Sequence, residues 1–388
     1  MNETQILLDA VASLPETGHT ALATIVKVTG SAYRGPGARL LILPDGRTMG
    51  AVSAGCLERD LVERARRAIA SGQPDLATYD TSDLGENVWG LGIGCGGTVE
   101  VLIEPLHVGT GAAHLLPFLR ERLAERDTGV VAVVFRVSGL AVPVGSRLML
   151  AAGESATDIS DPALASWLRQ ESEDARLAGR SVGKRYAAPV GWAEVFIQVI
   201  VPPLPLIIFG AGDDAMPLVQ FADALGWDVT VVDSRPGLAH AGRFPAANRI
   251  VIGQPDQVWD RVPLAAGTAA VVMTHNYAHD LTVLRKLLAS PVRYLGILGT
   301  RKRTAAMLHT LTEERTVPAD CILEAVHSPI GMDIGAETPA EIALAIVAEI
   351  QTVCAGRAGG FLKERKGPIH EREQSGGHSA NQTGGRNA

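Results

Sequence analysis

Cysteines flanked by glycines mark the first chemical candidates. Cys56 follows Ser53-Ala54-Gly55 and opens the helical stretch Leu57–Ala70; Cys95 lies inside Gly92-Ile93-Gly94-Cys95-Gly96-Gly97. A thiol at a helix N-terminus has its thiolate stabilised, an effect that Glu58 next door partly opposes. A glycine-rich loop lets the backbone close on a ligand. Both cysteines therefore suit soft metal ligation or sulfur relay. Taken singly, each is also the small, readily buried side chain that a tight turn favours. Just upstream, Thr29–Arg39 is a polar, glycine-rich loop in which Ser31, Tyr33, Arg34 and Arg39 suit an anion. Cys321 and Cys354 read as core.

A second constellation starts at Leu206. The apolar run LIIF enters Gly210-Ala211-Gly212-Asp213-Asp214-Ala215, the G-x-G-x-x-A form of the dinucleotide fingerprint. Gly210 permits the tight turn and Gly212 the approach of a pyrophosphate to the helix N-terminus. Asp233, about 20 residues on, stands where the ribose-binding acid belongs, and Arg235 bears on the choice between NAD and NADP. Asp213 and Asp214 set negative charge against a pyrophosphate, so NAD(P) binding is expected to be weak or absent. His275 follows the strand Ala270–Thr274, with Asp280 downstream to orient it. Gly296-Ile297-Leu298-Gly299-Thr300 leads into Arg301-Lys302-Arg303, a turn that suits phosphate. His327 reads as a loop residue. Ser53 sits on a strand–turn–helix without the first glycine of a nucleophile elbow. No G-x-x-x-x-G-K-[ST] occurs, which excludes a P-loop NTPase on motif grounds.

The elements that must hold these residues follow from pattern. The 388 residues suggest two or three domains. With 46% hydrophobic and 20% charged residues there is material for a large core, and only 4% aromatics makes that core aliphatic. The net charge of −7 argues against a broad nucleic-acid footprint. Four cysteines are too few for a disulfide scaffold, and no Lys or Arg precedes Lys27 as a signal peptide would require. No apolar run is long enough for a membrane span. These features predict a cytoplasmic protein. Residues 1–201 read as a mixed α/β domain, with strands at Ala21–Val28, Arg39–Leu43, Thr48–Val52, Thr98–Leu102 and Val130–Val137 and helices at Leu57–Ala70, Ala112–Glu125 and Asp161–Arg176. Pro202-Pro203-Leu204-Pro205 reads as a stiff linker. Residues 206–356 alternate strand and helix as a Rossmann-like, doubly wound parallel sheet does, closing on a helix capped by Thr338 with Pro339 and Glu341. Residues 357–388 read as a disordered tail.

The set of motifs resembles the XdhC/CoxI family, accessory proteins of molybdenum hydroxylases such as xanthine dehydrogenase. The resemblance rests on TGSAYRGPGARLLILPDGRTMGAVSAGCLERDL and GIGCGGTVEVLIEP in the first domain. In the second it rests on LIIFGAGDDAMPLVQFADALGWDVTVVDSRP, VVMTHNYAHD, YLGILGTRKR and HSPIGMDIGAETPAEIALAI. It implies a chaperone that binds the molybdenum cofactor (molybdopterin), assists its sulfuration and delivers it to the apo-hydroxylase. A sulfur-donating cysteine desulfurase would be a further partner, and a homodimer would be usual. Under that resemblance Cys56 and Cys95 become candidate molybdenum or sulfur contacts. The alternative is an NAD(P)-dependent oxidoreductase in which His275 and Asp280 relay a proton; it leaves the cysteine loops unexplained.

Overall fold

In the computed structural model, which describes residues 3–13, 20–80, 96–106, 111–262, 264–314 and 326–366, the chain falls into two units, residues 3–202 and 203–365. The first unit opens with helix α1 (Glu3–Ala12) and then β1 (Thr20–Gly30), β2 (Arg39–Ile42), β3 (Thr48–Gly50), α2 (Glu58–Ser71), β4 (Asp75–Asp80) and β5 (Gly97–Leu106). These strands form an antiparallel sheet in the order β3-β2-β1-β5-β4. Helix α3 (Gly111–Glu125) leads to β6 (Gly129–Ser138), β7 (Arg147–Ala151), β8 (Glu154–Thr157), α4 (Pro162–Ala178), β9 (Val182–Ala188) and β10 (Gly191–Ile200). They make a second antiparallel sheet, β8-β7-β6-β10-β9. The stretch beyond Val108 thus builds a sheet of its own within the first unit.

Strands β1 and β6 are buried along most of their length without polar alternation, which requires cover on both sheet faces. Helix α2 covers one face of the first sheet through Leu61, Ala65 and Ala68 against Ala21, Ile25, Leu40 and Val101. Helix α4 does the same for the second through Leu164, Leu168 and Ala175. The other two faces meet: Val26 and Leu102 pack with Val133, Phe135 and Phe196. Leu8 and Leu22 close the side with Leu115, Leu119 and Ile200. The layers run helix, sheet, sheet, helix.

The second unit holds β11 (Pro205–Phe209), α5 (Ala215–Ala224), β12 (Asp228–Asp233), β13 (Arg249–Ile252), β14 (Ala269–Val272), α6 (Tyr277–Leu287), β15 (Tyr294–Ile297), α7 (Arg301–Glu313) and α8 (Pro339–Cys354). All five strands are parallel, in the order β13-β12-β11-β14-β15. This is the Rossmann-like, doubly wound sheet the alternation predicts, with its topological switch between β11 and β14. Helices α5 and α8 cover one face through Leu218, Val219, Ile346 and Ile350; α6 and α7 cover the other through Leu284, Leu287, Met307 and Leu311. Helix α8 begins with a complete capping box between Thr338 and Glu341. A single parallel bridge from Gly296 to His327 extends the β15 edge. Among the described residues no helix is long and apolar enough to cross a membrane. Of the tail expected to be disordered over residues 357–388, residues 357–366 are described and carry a short 3-10 turn at Leu362–Glu364; residues 367–388 lie outside the described residues.

Candidate functional site

The switch point of the second unit gathers the fingerprint residues. Gly210 has φ 127°, and an added Cβ would collide with the Met273 carbonyl at the end of β14. Only glycine lets β11 turn so close to its neighbour. Asp233 accepts hydrogen bonds from the Ala211 amide at 2.8 Å and from the Arg235 guanidinium at 2.7 and 2.9 Å. Burial works against its charge, but Arg235 and these amides outweigh it and hold the carboxyl below its usual range. Asp233 and Arg235 therefore hold each other at the position of a ribose acid. They line a cavity of about 80 Å³ with Phe209, Thr274, Asn276 and His279. Pockets that enclose whole small ligands run to about 300–1,000 Å³, so this one admits only a small group.

His275 stands at the carboxyl end of β14 with φ 59°, a left-handed backbone that a non-glycine residue rarely adopts. Its side chain is 60% exposed, and Nε2 lies 2.7 Å from Oδ2 of Asp214. Asp280, expected to orient it, does not. Asp280 is fully buried in the first turn of α6, accepts from the Thr274 hydroxyl at 2.6 Å, and pairs with Arg303 at 2.6 Å. The helix turns this carboxylate back beneath the strand end, so the partner of His275 comes from the fingerprint turn instead. Asp213 pairs with Arg243 at 2.7 Å. Both carboxylates expected to confront a pyrophosphate are thus engaged by side chains of this chain, Asp213 by Arg243 and Asp214 by His275.

The Gly296–Arg303 segment is less open than the phosphate reading required. Gly296 lies within β15, where an added Cβ would collide with Ile330 and crowd the Tyr294 hydroxyl. Gly299 and Thr300 make the turn, and Thr300 caps α7 by accepting from the Arg303 amide. Arg301 and Lys302 are exposed, whereas Arg303 is committed to Asp280. His327 is more engaged than a loop residue: it stacks on Tyr294 with ring centroids 4.5 Å apart, and Nδ1 lies 3.0 Å from Glu349. Glu349 also accepts from the Tyr294 hydroxyl at 2.5 Å and the Gly331 amide at 2.8 Å.

The remaining candidates belong to the first unit. Because β1 and β3 both run antiparallel to β2, and β5 antiparallel to β1, the Ser31–Ala38 loop, the Ser53–Leu57 turn and Gly96 leave one end of the first sheet. Tyr33 is 64% exposed. Arg34 is held by both carboxylate oxygens of Glu3 at 2.6 and 2.9 Å. Arg39 is not open to an anionic ligand: it is buried at the start of β2, donates to Gln198 at 2.5 Å, and feels the nearby Glu104 carboxylate of this chain. Burial, and then the charge of Arg147, push it down to about 10. Cys56 is half-buried ahead of α2. Ser53 donates to Glu58 and accepts from the Gly55 and Leu57 amides, which ties the turn that presents Cys56. Cys354 is half-buried at the end of α8, and burial pushes its thiol up. Cys95 and Cys321 lie outside the described residues. Among the described residues no group of three or more His, Cys, Asp or Glu stands ready to hold a metal ion.

Sequence reasoning missed Asp214 as the partner of His275 and missed the Glu349–Tyr294–His327 cluster. The first was open to deduction from the strand order, since β11 and β14 are neighbours. Glu349 carried a weaker signal, a charge inside the apolar α8 stretch.

A family model described as the XdhC Rossmann domain matches residues 206–350, and one described as the XdhC and CoxI family matches residues 14–80. A protein of Bacillus subtilis (strain 168) described as a probable xanthine dehydrogenase subunit is 31% identical over 351 residues, 90% of this chain and 97% of that protein. The molybdenum cofactor insertion chaperone PaoD of Escherichia coli (strain K12) is 25% identical over 353 residues, 90% of this chain and 87% of that protein. The crystal structure of a xanthine dehydrogenase from Bacillus halodurans superposes with a TM-score of 0.76 at 29% identity, covering 92% of this chain and 97% of that one.

Proposed function

The chain belongs to the XdhC and CoxI family, and on that premise we propose that it is a maturation protein for a molybdenum hydroxylase of the xanthine dehydrogenase type. In this reading it binds the molybdenum cofactor as cargo, assists its sulfuration and delivers it to the apo-enzyme. The observation that carries the proposal is the likeness over 90% of the chain to a molybdenum cofactor insertion chaperone. The cargo is an anionic pterin phosphate with soft sulfur ligands. Cys56 offers a soft thiol on a turn tied by Ser53 and Glu58, and Tyr33 an exposed ring at the same end of the sheet. Arg34 would reach the cargo by leaving Glu3. Cys95 is proposed as a second sulfur contact, with a cysteine desulfurase as sulfur donor and a homodimer as the working state.

The test is co-expression with a client hydroxylase. The wild-type chain should purify with molybdenum, and Cys56→Ser should fold normally, retain less molybdenum and yield a client lacking its terminal sulfur. A chain that retains no cofactor, together with a client that matures equally well without it, would sink the proposal.

A second reading is favoured by His275 and Asp214, an oriented imidazole at a switch point where α/β enzymes place ligands. An NAD(P)-dependent oxidoreductase would use it as a proton relay. Against that stand the mutual engagement of Asp233 and Arg235 and the small cavity between them. Calorimetric titration with NAD and NADP decides: low-micromolar binding lost in Gly212→Val favours the oxidoreductase.

A further inference from the structure

The two sheets of the first unit share one topology. Each half runs helix, three strands, helix, two strands, and each sheet has its third, second, first, fifth and fourth strand in that spatial order. The likeness extends to single residues. Lys27-Val28-Thr29-Gly30 corresponds to Arg136-Val137-Ser138-Gly139. Gly37-Ala38-Arg39-Leu40-Leu41-Ile42 corresponds to Gly145-Ser146-Arg147-Leu148-Met149-Leu150, and Val99-Glu100-Val101-Leu102-Ile103-Glu104 to Ala193-Glu194-Val195-Phe196-Ile197-Gln198.

The backbones agree in detail. Gly30 and Gly139 have φ 75° and 73°, Gly37 and Gly145 have 93° and 91°, and Gly72 and Gly179, which end α2 and α4, have 67° and 63°. The Ile25 amide donates to Ala38, and the Gly37 amide to Ile25; the Val134 amide donates to Ser146, and the Gly145 amide to Val134. Both first strands are irregular at the matching place, between Ile25 and Lys27 and between Val134 and Arg136.

The contacts between the halves are reciprocal. Arg147 of the second half meets Glu104 of the first at 2.7 Å, and Arg39 of the first meets Gln198 of the second at 2.5 Å. Lys27 meets Glu194 at 2.9 Å, and Arg136 meets Glu100 at 2.6 Å. Residue i touching j while the counterpart of i touches the counterpart of j is the signature of an isologous interface. Gln198 also donates to the Gly37 carbonyl at 3.4 Å, at the stem of the Ser31–Ala38 loop.

We infer that residues 3–200 are two copies of one module folded about an internal two-fold axis, and that Gln198 of the second copy positions the Ser31–Ala38 loop of the first. The surface that each copy presents is built for the other, with the charged pairs fixing register. The copies differ where the first is longer. Ser53–Leu57 connect Val52 to α2, whereas Ser160 and Asp161 suffice between Ile159 and α4. Asp161 caps α4 directly by accepting from the Ala163 and Leu164 amides, while Leu57 makes no side-chain cap to α2.

The test moves the interface carboxylate from one copy to the other in the full chain. Glu104→Gln leaves Arg39 and Arg147 facing only amides and should lower the melting temperature. Adding Gln198→Glu supplies the mirror-image carboxylate and should return the melt close to wild type. Positioning is read by hydrogen exchange. Gln198→Ala should speed exchange in residues 30–40 about tenfold, the scale of one lost hydrogen bond to a charged group, and leave 139–147 unchanged. Glu104→Gln should do the reverse. A double variant no more stable than Glu104→Gln would overturn the two-fold relation. Exchange that rises only in the half carrying the substitution would overturn the positioning role.

Discussion

Asp280→Asn separates structural from functional use of the buried carboxylate in α6. Asparagine keeps an oxygen to accept from Thr274, so the hydrogen bonds at 2.6 and 3.3 Å survive. What goes is the negative charge 2.6 Å from Arg303. Removing one partner of a fully buried ion pair costs about 3–5 kcal/mol. Asp280 is fully buried but the Arg303 side chain keeps 25% exposure, so water recovers part of the cost and about 2–3 kcal/mol is expected. At about 2–4 °C per kcal/mol for a unit of this size, the melting temperature should fall by roughly 5–10 °C. Calorimetry of the full chain measures it. Asp280→Asn combined with Arg303→Met should be less destabilised than the sum of the singles, because the stranded cation is gone. If Asp280→Asn melts with the wild type while activation of the client hydroxylase collapses, the carboxylate serves chemistry and the pairing argument is wrong.

Gly210→Ala should cost more than about 3 kcal/mol, because a left-handed backbone and a collision with the Met273 carbonyl coincide there; a melt like that of the wild type would show that the turn can move. His275→Asn keeps a residue tolerant of the left-handed region, so its melting temperature should stay within about 2 °C of wild type. If His275 and Asp214 act as one unit, Asp214→Asn should reduce client activation as far as His275→Asn does, and unequal losses would separate them. Glu349 is held below its usual range: burial opposes its charge, but hydrogen bonds from His327, Tyr294 and Gly331 prevail. Its stabilising contribution is therefore present above about pH 4.3 and lost as pH falls through the lowered folded value. Glu349→Gln should be less stable at pH 7 in urea titrations and should lose less on acidification; an unchanged acid slope would refute this.

The second unit was legible because its strands are buried on both faces and read as continuous apolar runs, and because Thr338, Pro339 and Glu341 announce α8. The pairing of its charges was not. Asp280 is near His275 in sequence, whereas Asp214 reaches it only because strand order sets β11 beside β14. Arg39 reads as the junction of the polar loop and a strand, and it does start β2, but its side chain is buried against Gln198 where an anion grip is expected. The two-fold likeness of the first unit is hidden for a related reason. Its identities are few and scattered: left-handed glycines, the pairs Arg39/Arg147 and Glu100/Glu194, and a few aliphatics such as Val28/Val137, Leu40/Leu148, Val101/Val195 and Ile103/Ile197. The neighbouring core positions exchange Ile, Leu, Met and Phe, as cores tolerate.

The internal two-fold axis bears on how the first unit was able to change. A module that pairs with an identical chain carries every substitution on both sides of its axis, so a useful insertion on one side is imposed on the other. With both modules in one polypeptide, the codons for Glu104 and Gln198 vary separately. The turn carrying Cys56 could lengthen while its counterpart kept the short Asp161 cap. One module can thus alter its loops while the other keeps the surface that matches it.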